Sequence, residues 1–221
     1  MTESLRRRAS TIYSRARLAV EGVVFERRYG LKTAGSVDLE EFGLAQPGRL
    51  HYEPSEWRTL HRILRAGEVD RSDVFIDFGS GMGRAVFEAA QYPFKRVIGV
   101  EIAPQLNDIA RANIERNRHR FRAADVELVT ADATSFEVPD DVSVVYIANP
   151  FRGEIFRSVV DNVLASVDRR PRPVRLIYVY PTERRILDAT GRFRLIRHGR
   201  AVLRWWRELD TLLMYEVLPR P

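Results

Sequence analysis

The sequence predicts an α/β fold, a three-layer sandwich with helices on both faces of a mostly parallel sheet. Three observations predict it. Short apolar runs alternate with segments of helical spacing from Asp73 to Tyr180, and strands that are apolar throughout belong to parallel sheets buried on both faces. A glycine-rich turn follows the first run and opens a helix. Acidic residues sit at the ends of three successive runs, on the edge where open α/β sheets take their ligands.

The elements follow in order. Over residues 3–28, Leu5, Ala9, Ile12, Ala16, Ala19 and Val23 recur three or four apart with arginines opposite. That spacing predicts an amphipathic helix, packed on its own domain or laid on a membrane surface or partner. Residues 30–54 hold Gly30, Gly35, Gly43, Pro47, Gly48 and Pro54 and read as an irregular connector. We therefore expect 1–54 to be an N-terminal helix and connector, and 55–221 to be the α/β domain. Ser55 is a good cap for a helix reaching Ala66, with Gly67 ending it. Strands are expected at Val74–Phe78, Arg96–Val100, Val126–Val129, Val142–Ala148 and Val174–Tyr180. Helices are expected from Arg84 to Gln91, from Pro104 through Ile114, and from Gly153 to Val167. Phe193–Ile196 and Leu212–Leu218 read as two more strands with no long helix between them, and such neighbours pair antiparallel.

Composition narrows the function. A chain of 221 residues, 45% hydrophobic and 30% charged, suits one soluble globular domain. It has no cysteine, which excludes a disulfide framework, thiolate metal sites and cysteine nucleophiles. The net charge of +6 is carried almost wholly by arginine, since Lys32 and Lys95 are the only lysines. The arginines form no single tract, which favours a solvated surface over a nucleic-acid interface. Arg116, Arg118, Arg120 and Arg122 beside Phe121 are the stretch that would serve nucleic acid. No apolar run approaches the roughly 20 residues of a membrane span. Arg6, Arg7 and Arg8 are not followed by the apolar core of a signal peptide. An organelle transit peptide is the alternative, opposed by Glu3, Glu21 and Glu26, and a cytoplasmic location is expected.

The chemistry concentrates in Asp77-Phe78-Gly79-Ser80-Gly81-Met82-Gly83-Arg84. Glycines between a strand and a helix let the backbone pass close to a ligand. The spacing differs from the dinucleotide fingerprint, which has two residues before its last glycine. Asp77, two residues before the first glycine, would repel a pyrophosphate and suits a cationic amine or sulfonium. Glu101 ends the second strand, where an acid bonds ribose hydroxyls. Asp132 follows the third strand, where it can accept a hydrogen bond from an adenine amino group.

Together these residues resemble the binding motifs of class I S-adenosylmethionine-dependent methyltransferases. The resemblance covers about residues 70–218 and implies a Rossmann-like, seven-stranded sheet with an antiparallel last strand. It implies S-adenosyl-L-methionine as cofactor and no metal. It carries cofactor binding to Asp77, Gly79, Ser80, Gly81, Gly83, Glu101, Ile102, Asp132, Ala133 and Asn149. Val74 to Arg84 with Gly99-Val100-Glu101 is also similar to the non-SET, Dot-type lysine methyltransferases. In those, a tyrosine-containing segment before the first strand closes over the cofactor. His51-Tyr52-Glu53-Pro54 stands in that place, departing from the usual Tyr-Gly-Glu.

Ala148-Asn149-Pro150-Phe151 ends the fourth strand and resembles the Asn-Pro-Pro-Tyr/Phe motif of nitrogen methyltransferases, one proline short. Its amide oxygen can accept from an N–H₂ group and its ring can pack beside a cation; the alternative is a proline turn with Phe151 in the core. The catalytic candidates are Asn149, Pro150, Phe151, Tyr52 and Glu53, with Glu53 or water taking a proton from an amine acceptor. The expected reaction is methyl transfer to an amine nitrogen of a protein lysine or small molecule. Nucleic-acid methylation, a nucleotide-binding oxidoreductase and a non-catalytic cofactor-binding module are the alternatives. Between the last two strands, His198, Arg200, Arg204, Trp205, Trp206 and Arg207 form either an acceptor wall or a core tryptophan with solvated arginines.

Overall fold

In the computed structural model, which describes residues 22–199 and 212–220, the apolar runs are strands of one seven-stranded sheet. These are β1 (Val74–Phe78), β2 (Arg96–Glu101), β3 (Asp125–Thr130), β4 (Val144–Ile147), β5 (Val174–Val179), β6 (Phe193–His198) and β7 (Leu212–Val217). Their order is β3-β2-β1-β4-β5-β7-β6. Strands β1 to β5 pair parallel. Strand β7 inserts antiparallel between β5 and β6, as expected of the tail. The order reverses beside β1, whose neighbours are β2 on one side and β4 on the other. A crevice therefore opens where the loops after β1 and β4 diverge, which is where such sheets hold ligands.

Among the described residues five helices cover the sheet: α1 (Thr59–Ile63), α2 (Arg84–Ala90), α3 (Pro104–Asn117), α4 (Gly153–Arg169) and α5 (Arg184–Thr190). Side chains alternate along β1, so Val74, Ile76 and Phe78 face one layer and Phe75 the other. The first set packs with Phe156, Val159 and Val163 of α4 and Leu187 of α5. Phe75 packs with Leu60 of α1, Phe87 of α2 and Ile114 of α3. Every residue of β1 and β4 is buried, which is why both read as uninterrupted apolar runs apart from Asp77.

Two elements differ from the sequence expectation. The helix after the connector is short, because Ser55 does not cap it. Arg58 takes a left-handed conformation at φ 62°, and its N–H donates to the Glu88 carboxylate. The Leu60 N–H donates to the same carboxylate at 3.3 Å. Glu88, from the middle of α2, thus supplies the cap that Ser55 was expected to provide. Gly67 lies inside a separate tight turn, Ala66–Glu68, rather than ending the helix. The second difference is α5, a seven-residue helix between β5 and β6 that the sequence pattern does not announce. Of the helix expected over 3–28, only the part from Gly22 lies within the described residues, and it is helical to Tyr29.

The outer strand β6 is tied back to the turn after α1 by charge. Arg197 donates from both terminal nitrogens to the two Glu68 oxygens, each at 2.7 Å, and from Nη1 to the Ile63 carbonyl. The Arg197 hydrogen bonds are the largest influence on Glu68, and against partial burial they hold its carboxyl down at about 2. A depressed acid stabilises the fold above its unfolded pKa and loses that contribution as pH falls through the folded value. Glu68→Gln is therefore expected to cost about 1 kcal/mol at neutral pH, given partial solvent access. The difference should close as pH falls from about 4.5 to about 2. Urea titrations of both proteins across that range check this; a pH-independent gap would contradict it.

Candidate active site

The crevice at the C-terminal strand ends is a cleft of about 500 Å³, within the usual size of small-molecule sites. Its floor is the turn between β1 and α2. Gly79 and Gly81 both have positive φ, at 74° and 53°. A Cβ on Gly79 would lie 2.6 Å from Pro150, and one on Gly81 would lie 2.2 Å from the Tyr52 ring. The turn is glycine here because proline from the β4 end and tyrosine from the connector both press on it.

Asp77 and Glu101 lie at the head of this turn, 3% and 6% exposed. Glu101 accepts the Gly81 N–H at 2.8 Å on one oxygen and the Ala103 N–H at 2.9 Å on the other. Burial pushes its carboxyl up, partly offset by the N–H groups of Ala103, Gly81 and Ile102. The Asp77 carboxylate has no hydrogen-bond partner among the described residues and faces the cleft. Burial first, and the nearby Glu101 charge second, raise it well above the usual carboxylate range. Two buried acids, one unsatisfied, create strong demand for a cation or for N–H and O–H donors.

Asp132 lines the same cleft, with Ile102 and Ala133 beside it. One oxygen accepts from the Thr134 N–H and hydroxyl at 2.9 and 2.8 Å. The other accepts from Arg49 at 2.6 Å. Burial pushes the Asp132 carboxyl up, but Thr134 and Arg49 outweigh it and leave it below the usual range. Ser80 is buried in the turn, and its hydroxyl has no hydrogen-bond partner among the described residues.

Asn149, Pro150 and Phe151 border the cleft from the end of β4. Asn149 is left-handed at φ 58°. Its amide oxygen accepts from Arg152 and, at 2.8 Å, from the Thr182 hydroxyl. Phe151 is 9% exposed, belongs to the core beneath α4 and still lines the cleft. Tyr52 donates to the Thr33 carbonyl at 2.8 Å, and burial raises its hydroxyl above the usual tyrosine value. Glu53 is largely exposed at the mouth, 3.8 Å from His51. Trp205, Trp206, Arg200, Arg204 and Arg207 lie outside the described residues, and His198 is exposed at the end of β6.

Several cleft residues carry no sequence signal. Arg49, Tyr146 and Tyr180 line it, as do Ser55 and Glu56. Arg84 is the largest omission. It is 4% exposed and donates to the Thr33 hydroxyl at 2.9 Å and the Ser55 carbonyl at 2.7 Å. It also reaches Glu26 at 3.4 Å and lies 4.7 Å over the Trp57 ring. It fastens the connector across the glycine turn. Its position directly after Gly83 was the available hint, since a cation in the first turn of a helix opposes the helix dipole and needs partners. Three of the four arginines around Phe121 are engaged within the chain: Arg116 with the Gly30 carbonyl, Arg118 with Glu115, and Arg120 over Tyr29.

The comparisons with known proteins agree with this geometry. The family model described as histone methylation protein DOT1 matches residues 51–177, more than half of the chain and most of the cleft lining, with Leu39, Arg49, Leu50 and Tyr180 outside the match. A protein-lysine N-methyltransferase of Saccharolobus islandicus (strain REY15A) is 35% identical over 77 residues, covering 34% of this chain and 48% of that protein. A histone-lysine N-methyltransferase, H3 lysine-79 specific, of Dictyostelium discoideum is 36% identical over 69 residues, 31% of this chain and 4% of that one. The chain thus spans about half the length of the first relative and a small part of the second. An RNA methyltransferase from Salinibacter ruber, solved with S-adenosyl-L-homocysteine, superposes with a TM-score of 0.53 at 20% identity, over 76% of this chain and 95% of that one. That likeness is one of fold. With the family model matched across β1 to β5, the chain belongs to the DOT1 histone methylation protein family.

Proposed function

We propose that the chain is an S-adenosylmethionine-dependent methyltransferase acting on an amine nitrogen, in a protein lysine or a small molecule. The observation that carries this reading is the buried, unpartnered Asp77 carboxylate facing a glycine-floored cleft beside Glu101. A ligand with an ammonium or sulfonium charge and hydroxyl donors satisfies both acids; a pyrophosphate would be repelled. The donor, when bound, supplies an electrophilic methyl group on a sulfonium. Asp77, Gly79, Ser80, Gly81 and Gly83 would hold its methionine part, Glu101 its ribose, and Ile102, Asp132 and Ala133 its adenine end.

On the acceptor side, Asn149, Pro150 and Phe151 with Tyr52 would orient the nucleophile. A lysine amine has an unperturbed pKa near 10.4 and must shed a proton before it reacts. Glu53, exposed at the cleft mouth, is the group assigned to pass that proton to water. The names of the two relatives favour a lysine acceptor. The engagement of Arg116, Arg118 and Arg120 within the chain favours protein or small-molecule acceptors over nucleic acid. Among the described residues no helix is long and apolar enough to cross a membrane.

Isothermal titration is expected to show binding of S-adenosyl-L-homocysteine and none of NAD. Tight NAD binding with no heat from the homocysteine product would overturn the assignment. A second expectation concerns Asp77→Asn. The folded-state pKa of Asp77 lies above its unfolded value, so the wild-type contribution to stability is retained at acid pH and lost as pH rises. The asparagine variant should therefore be more stable than wild type at pH 8, by on the order of 1–3 kcal/mol, with the gap shrinking toward pH 4. It should also bind S-adenosyl-L-homocysteine at least about tenfold more weakly. Unchanged stability together with unchanged binding would show that Asp77 is neither strained nor used.

A further inference from the structure

The Asp132 carboxylate is placed where the resemblance implies contact with an adenine amino group, yet three of its roughly four lone-pair sites are taken, two on Oδ1 by Thr134 and one on Oδ2 by Arg49. Arg49 comes from the connector, outside the α/β sheet. Its backbone is pinned to the loop after β4: Arg49 bridges to Phe151, the Leu50 N–H donates to the Pro150 carbonyl at 3.0 Å, and the Arg152 N–H donates to the Gly48 carbonyl at 2.7 Å. Its side chain is 14% exposed. Nη2 bonds Asp132 at 2.6 Å and Nη1 bonds the Leu44 carbonyl at 3.3 Å. The N–H donors of a guanidinium lie in its plane. With donors on both terminal nitrogens occupied along the edges, the flat faces of the group remain for packing, and Arg49 lines the cleft beside Asp132 and Ala133.

We propose that Arg49 is the specificity-determining residue at the adenine end. Its guanidinium face stacks on the base, and Asp132 acts through Arg49 by holding that group flat rather than by accepting from the adenine amino group. A planar cation against an aromatic ring is a favourable pair, and lysine cannot replace it because an ammonium has no face. The proposal rests on the donor assignment above and deepens it.

Three titrations of the full chain test it, each beside a melting curve. Wild type is titrated with S-adenosyl-L-homocysteine and with its 6-deamino analogue, in which purine replaces adenine; Arg49→Ala and Arg49→Lys are titrated with S-adenosyl-L-homocysteine. The analogue is expected to bind wild type within about threefold of the parent, because the amino group is not what is read. Both variants are expected to lose about tenfold in affinity. Arg49→Lys should melt near wild type, since lysine keeps the ion pair with Asp132, so its loss of binding is not a loss of fold. The proposal is overturned if the analogue loses about tenfold while the variants bind within about twofold of wild type, which would mean that Asp132 reads the amino group directly. It is equally overturned if Arg49→Lys restores full affinity. If wild type binds neither compound, the donor assignment itself falls and this inference with it.

Discussion

Two carboxylates buried side by side at the strand ends set the terms for the rest of the structure. Taking one carboxylate out of water is costly, and placing a second beside it adds repulsion. The chain offsets the cost for Glu101 with backbone N–H groups from the glycine turn and the start of α3. It does nothing comparable for Asp77, whose carboxylate is left raised and unpartnered. Strain of this kind persists only where the surrounding fold is stable enough to carry it. Here β1 and β4 are buried throughout and β2 is buried from Val97 on, and the core continues on both faces beneath the turn.

The glycine turn is shaped from outside as much as from within. Pro150 and the Tyr52 ring approach Gly79 and Gly81 so closely that no side chain fits between. Tyr52 belongs to a connector held down by one buried cation, Arg84. That guanidinium sits in the first turn of α2, where the helix dipole disfavours it. Glu26, Thr33, the Ser55 carbonyl and the Trp57 ring compensate. The same arrangement that stabilises the cation therefore positions the wall of the cleft. On the opposite rim, Asn149 and Tyr180 each take a left-handed conformation just past β4 and β5, and the Thr182–Asn149 bond joins the two strand ends. Non-glycine residues held there are strained, and such strain concentrates at functional sites.

What was legible in the sequence depended on local spacing. The identity of the β1 to β5 strands followed from short runs of strand-forming residues, and the antiparallel tail from two strands with no long helix between them. The glycine spacing with Asp77, Glu101 and Asp132 marked three strand ends that the sheet brings to one cleft. Local reading failed where a distant group decided the outcome. Ser55 looked like a helix cap, but Glu88 of α2 reaches back 28 residues to the Leu60 N–H and does that work. Asp132 lines the cleft, and nothing local to it announced its bond to Arg49, 83 residues earlier. Arg84 read only as the residue that closes the glycine motif and opens a helix, with no sign of its distant partners.

The sequence by itself determined the layers of the fold, the edge of the sheet that carries the chemistry, and the charge a ligand must bring. Each of these depends on period, on glycine, or on residue type, and all three are local properties. Only the tertiary structure decided that the connector is part of the cleft and that Glu101 is satisfied while Asp77 is not. It also decided that a cationic side chain from the connector is bonded to Asp132 in the cleft wall. Those outcomes turn on hydrogen bonds and ring contacts between residues tens of positions apart. Only the folded backbone brings such groups within three or four ångströms, the range over which burial and charge decide which acid is left unpaired.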